Sequence, residues 1–126
     1  MSLTYIEGKV FEGINFSEQA LSKGDYENCR FTNCIFSTSD LSGINFIECS
    51  FESCDFSMAK IRGTGFRDVK FKASKLLGLH FEDCNRILLS LDFEACQLNL
   101  SSFYKLSLKN KNFIDCNLKE VDFTES

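Results

Sequence analysis

A large apolar residue returns at every fifth position along most of this chain, with polar residues between. From Tyr26 the series runs Phe31, Phe36, Leu41, Phe46, Phe51, Phe56, Ile61, Phe66, Phe71, Leu76 and Phe81. Two residues before each centre stands a small side chain, as at Cys29, Cys34, Ser39, Cys49 and Cys54, with Ile44 the largest of them. Turn-friendly residues such as Thr38-Ser39-Asp40 and Ser42-Gly43 fill the gaps.

Neither regular element buries such a series. Five residues of helix rotate by about 500°, so successive centres lie about 140° apart and spread right round the axis. Five residues of flat strand put successive centres on opposite faces, and a doubly buried strand of this length is far beyond the ordinary range. The pattern is satisfied if the chain turns a corner once per repeat, so that every centre points into one interior. Corners of about 90° close after four sides, giving about twenty residues per coil, with coils stacked at about 4.8 Å. The sequence therefore predicts an all-β, quadrilateral β-solenoid of about six coils and roughly 29 Å in length. The period by itself leaves the hand open.

The register has defects. Ile6 and Phe11 are good centres, but Lys9, Gln19 and Gly24 stand where a small apolar residue is expected. Those positions are predicted to lie near a less enclosed end, where solenoid coils are atypical. Arg86 falls on a centre, and burying an unpartnered guanidinium is costly. The series resumes two residues late, at Leu88, Phe93, Leu98, Phe103, Leu108, Phe113, Leu118 and Phe123. Asp83-Cys84-Asn85-Arg86-Ile87 is thus predicted to hold a two-residue insertion, a bulged corner that turns Asn85 and Arg86 outward. Lys111 is the other misfit, at a small position where its stem is expected to snorkel out. The expectation is a single domain over residues 1–126 that stops in mid-repeat without a capping helix, as a fragment of a longer chain or one lacking its C-terminal cap would.

Composition sharpens this. All 14 phenylalanines occupy centres, and proline is absent, which suits a backbone whose N–H groups are needed between coils. A net charge of −4 with mixed signs argues against direct nucleic-acid binding, which favours a basic surface. Six of the 7 cysteines occupy the small position of the repeat, and Cys84 does so in the register that is about to end. Pairs such as Cys29 and Cys49 are expected to stack on adjacent coils as buried free thiols, in a reducing cytoplasm. A hydroxyl in place of the Cys49 thiol is expected to be costly among apolar neighbours. The sequence holds no signal peptide, transmembrane run or lipidation motif.

The small–polar–Leu/Phe–polar–polar repeat from about Ile6 to Phe123 resembles the pentapeptide-repeat family. That resemblance implies a right-handed quadrilateral β-helix. The stretch Cys29 to Phe51 is most similar to the quinolone-resistance (Qnr) branch. It carries Phe-x-x-Cys-x-Phe at Phe31–Phe36, Asp40-Leu41-Ser42-Gly43, and Phe-x-x-Cys-x-Phe again at Phe46–Phe51, followed by Phe56-Ser57-Met58-Ala59. The resemblance implies a rod like DNA in size, shape and negative charge, which binds DNA gyrase or topoisomerase IV and modulates quinolone sensitivity. The chain departs from that branch in having no long projecting loop and no C-terminal dimerising helix, and in the lysines and arginines among its acidic residues.

Candidate chemistry is sparse. His80, the only histidine, is an outward neighbour of Phe81 and has no triad partner. The cysteines lack CxxC spacing, and Gly63-Thr64-Gly65 is not followed by the Lys-Ser/Thr of a phosphate loop. No catalytic, cofactor or metal site is expected. What remains is surface. Taking every fourth repeat as one face groups Glu7, Asp25, Glu27, Glu48 and Asp68 against one base, Arg67. The face through Leu21, Leu41, Ile61 and Phe81 is balanced. Asp25, Glu27, Glu48, Asp68, Asn85 and Arg86 are the candidate partner-binding residues. The expected function is a non-enzymatic, protein-binding solenoid, with a type II topoisomerase the partner that the resemblance implies. The alternative is an assembly unit whose ends pair, as in an end-to-end homodimer. Neither nucleic acid nor a membrane is expected as a partner.

Overall fold

The computed structural model describes residues 3–126. The chain winds into a four-sided solenoid of about six coils. Ten short strands lie along two of its sides: β1 (Thr4–Glu7), β2 (Val10–Glu12), β3 (Gly24–Glu27), β4 (Arg30–Thr32), β5 (Ile44–Ile47), β6 (Ser50–Glu52), β7 (Gly65–Arg67), β8 (Val69–Lys72), β9 (Leu91–Glu94) and β10 (Lys111–Ile114). All pairings are parallel. The first face is the sheet β1-β3-β5-β7 and the second is β10-β9-β8-β6-β4-β2. The third and fourth faces hold their coils together by single bridges, such as Asp55↔Lys75 and Asp40↔Lys60.

Register follows from the repeat. Through the first four coils each residue pairs with one twenty positions on, as in Phe31↔Phe51 and Phe46↔Phe66. Like side chains therefore stack. On the second face the rings of Phe11, Phe31, Phe51, Phe71, Phe93 and Phe113 form a column, with centroids 4.6, 4.8, 5.1, 5.4 and 5.2 Å apart. Neighbouring faces meet edge-on, as between Phe46 and Phe51 at 82°. Both geometries suit the ring quadrupole. The phenylalanine columns fill the interior, and Phe31, Phe36, Phe46, Phe51 and Phe56 are wholly buried.

Most corners demand a left-handed backbone two residues after the centre. Gly43, Gly63 and Gly78 supply it at φ 75°, 71° and 68°, while Asn28, Glu48, Met58 and Asp68 adopt it at φ 53°, 52°, 59° and 55°. Outside glycine that conformation costs about 1–2 kcal/mol, which the stacked interior must offset. Gly24 plays another part. It lies at φ 144° directly under β1, where a Cβ would overlap the carbonyl oxygen of Thr4. The glycine is therefore required by close approach, and is not a defect of a loose first coil. Lys9 does sit at an open position, with Nζ 4.9 Å from the Phe11 ring centroid.

The extra two residues change one face only. Gly65 still bridges Asn85, a step of twenty, but Val69 pairs with Leu91, a step of 22. Between them the first face carries no fifth strand. The bulge occupies the face itself and not its corner, and Asn85 keeps its normal pairing. Arg86 is exposed, as its charge requires. Leu88 does not resume the interior series: it stands 63% exposed at φ 56°, and Leu89 turns inward in its place at 7%. The hydrogen bonds from Ser90 N to Phe66 O and from Val69 N to Ser90 O pull the chain back early, so the inward-facing slot falls one residue later. Lys111 remains half-buried at its small position. Burial holds its pKa below the usual lysine range.

Candidate docking surface

With the interior filled, recognition chemistry is confined to outward side chains. On the first face two columns flank the buried centres. One reads Tyr5, Asp25, Asn45, Gly65; the other reads Glu7, Glu27, Ile47, Arg67. The strands alternate, so these residues point away from the core.

Asp25 and Glu27 lie in opposite columns of the second coil, both half-buried. Tyr5 Oη donates to Glu27 Oε2 at 2.9 Å, crossing from one column to the other. The carboxylate raises the pKa of that phenol. Asn45 Nδ2 donates to Asp25 Oδ1 at 2.9 Å. The Asn45 amide also leans over Gly65, where a Cβ would collide with it. Periodicity places Asp25 and Glu27 on this face, but gives no sign of Tyr5 and Asn45 tying them down.

Glu48 and Asp68 are exposed and occupy the corner between the first and second faces, one coil apart. They continue the acidic run along an edge, beside the face and not on it. Asn85 Oδ1 accepts from Ile87 N at 3.0 Å and so shapes the bulge. Arg86 Nη2 reaches back to the Glu82 carbonyl at 3.4 Å. Asp25, Glu27, Glu48 and Asp68 thus form one neighbourhood, while Asn85 and Arg86 stand beyond Arg67 toward the C-terminal end. The bulge also exposes Ile87 at 73%. The fivefold period gives no hint of an apolar patch there.

Charge is distributed by coil. Lys60, Arg62, Arg67, Lys70, Lys72 and Lys75 all fall within one turn of the rod, exposed, with only Asp68 against them. This belt spans all four faces and closes off the acidic first three coils. Among the described residues only Lys72 of the six has an ion-pair partner, Glu94 at 3.9 Å. On the second face an open trough of about 460 Å³ runs between Arg30, Lys70 and Asp92 on one side and Glu52, Lys72 and Glu94 on the other. Its charges alternate.

On the fourth face Lys23 lies 4.0 Å from Asp40, and His80 Nδ1 lies 3.6 Å from Glu82 Oε2, which also accepts from Ser102 Oγ at 3.0 Å. Among the described residues no three His, Cys, Asp or Glu side chains gather as a metal-binding group, and no helix is long and apolar enough to cross a membrane. All seven cysteines are free.

Residues 24–86 match a family model described as a pentapeptide repeat region. No curated protein matches the sequence. Among solved structures, full-length QnrB1, a plasmid-mediated fluoroquinolone resistance protein, is 20% identical, with 94% of this chain and 71% of that one covered at a TM-score of 0.53. A trypsin-treated R167E form of QnrB1 is 22% identical over 96% of this chain and 71% of that one, at a TM-score of 0.43. The pentapeptide repeat protein Rfr23 from the cyanobacterium Cyanothece 51142 is 15% identical, over 96% and 81%, at 0.26. The likeness to full-length QnrB1 concerns the fold alone.

Proposed function

Because this chain belongs to the pentapeptide-repeat family, we propose that it is a non-enzymatic protein-docking rod whose acidic first three coils receive a basic surface of another protein. The observation that carries this reading is the packed phenylalanine interior, which leaves flat, rigid faces as the recognition surface. Rigid faces lose little entropy on binding, and a cluster of like charges speeds encounter with an opposite one. Glu7, Asp25, Glu27 and Glu48 supply the charge, with Asp25 and Glu27 held in place by Asn45 and Tyr5.

A type II topoisomerase is the partner suggested by the motifs shared with the quinolone-resistance branch. Carboxylates along the rod would stand in for phosphates on a basic saddle. The belt from Lys60 to Lys75 restricts such mimicry to the N-terminal half of the rod, shorter than a rod that is acidic throughout.

The test is a gyrase supercoiling assay with and without ciprofloxacin, paired with capture of topoisomerase subunits on the immobilised protein. Capture that weakens on Glu27→Arg, with altered supercoiling or drug inhibition, supports the topoisomerase reading. No effect at stoichiometric excess removes it.

A further inference from the structure

The first face is self-complementary. Its outer column runs from acidic to basic through an apolar midpoint: Glu7, Glu27, Ile47 and Arg67. Glu27 and Arg67 stand one coil either side of Ile47, a step of about 4.8 Å each way.

We propose that a second copy of this chain docks on the first face, antiparallel, about a two-fold axis that lies along the strand direction and passes over Ile47. That operation reverses the order of coils but keeps each column facing itself. Ile47 then meets the second copy's Ile47, and Glu27 meets the second copy's Arg67. In the neighbouring column Asn45 meets the second copy's Asn45, Asp25 meets Gly65 and Tyr5 meets Asn85. Each contact off the axis occurs twice, as an isologous interface requires.

Parallel docking of the same faces fails on charge, because it sets Glu27 level with Glu27 and Arg67 level with Arg67. The face is only four strands wide. The dimer is accordingly of the small, concentration-dependent kind, and its ion pairs weaken with salt. The proposal rests on the reading that the outer faces are docking surfaces, and it names a second copy as the occupant of one of them.

Sedimentation of the full chain at low and high salt, over a range of concentrations, tests it. Wild type should dimerise at low salt and dissociate as salt rises. Glu27→Arg and Arg67→Glu should each be monomeric, with dissociation constants raised at least tenfold. An equimolar mixture of the two variants should dimerise again, because every reversed charge then meets its opposite. Ile47→Lys should be monomeric in any mixture. Circular dichroism confirms that each variant keeps its strands.

Arg67→Glu also separates this inference from the docking of a basic partner, since it extends the acidic surface and should retain or strengthen that capture while abolishing the dimer. A monomeric wild type at all concentrations, or variants whose mixture stays monomeric, overturns the proposal and leaves the capture of a basic partner to stand on its own result.

Discussion

The Cys49 thiol donates to the main-chain carbonyl of Tyr26, one coil below it, across 3.2 Å. Cys34 does the same to Phe11 at 3.6 Å and Cys54 to Phe31 at 3.4 Å. Hydroxyls make the same contact at equivalent positions: Ser39 to Phe16 at 3.2 Å and Thr64 to Leu41 at 2.8 Å. The small position of the repeat is thus a slot for a short donor above a waiting carbonyl. This reverses the expectation that a hydroxyl at Cys49 would be costly. Cys49→Ser should shift stability by less than about 1 kcal/mol, because the new donor is satisfied. Urea denaturation of the two proteins checks it.

Removing a ring is a different matter. Phe51 is wholly buried between Phe31 and Phe71, stacked at 4.8 and 5.1 Å. Phe51→Ala should cost roughly 3–5 kcal/mol, since the fixed coils on either side cannot collapse onto the void. Phe123→Ala, at a half-buried centre of the last coil, should cost clearly less. Denaturation midpoints that move equally for the two would contradict the column.

High pH should weaken the fold by way of the thiols. Burial pushes Cys49, Cys54 and Cys84 up to about 12 and Cys96 up to about 11, from an ordinary value of 9.0. The unfolded chain releases these protons first. Stability from this source is therefore complete below about pH 9 and is lost as pH rises from there toward 12. Denaturation midpoints at about pH 8 and about pH 10.5 should differ in that direction, and replacing Cys49 and Cys54 by serine should flatten the trend. In the native protein near neutral pH only Cys116, the one cysteine that is half-buried and not fully enclosed, should react readily with a thiol reagent.

The fold is legible because ring positions and corner positions repeat together, and no other architecture reconciles them. The acidic side of the candidate surface is legible for the same reason: a twenty-residue coil assigns Asp25 and Glu27 to a face by arithmetic. The bulge is only half legible. Arg86 on a centre shows that the register must break, but whether Leu88 or Leu89 turns inward depends on where Ser90 rejoins the Phe66 and Val69 backbone, a contact between coils. The Tyr5–Glu27 and Asn45–Asp25 bonds escape notice because they join side chains whose spacing carries no periodic mark.

That break suggests a repair. Deleting Arg86 and Ile87 brings Leu88 to the centre five residues after Phe81 and restores an unbroken series through Phe93. The shortened chain should fold, gain a strand on the first face, and unfold at a urea concentration no lower than wild type. A loss of more than about 1 kcal/mol would mean that the inward Leu89 packs better than the regular coil would.

The uniform step of twenty along the first four coils has an evolutionary reading. A gene segment encoding residues 30–49, copied in tandem, would add one rung of about 4.8 Å while every residue at the join found the neighbour it already has. Copies of a multiple of five that is not a multiple of twenty would rotate all later faces by at least a quarter turn, and the surfaces on either side of the join would no longer align. The 22-residue rung that contains the bulge could not be duplicated without also doubling its protrusion. Length variation among kin of this rod should therefore come in whole rungs, inserted on the N-terminal side of Asn85.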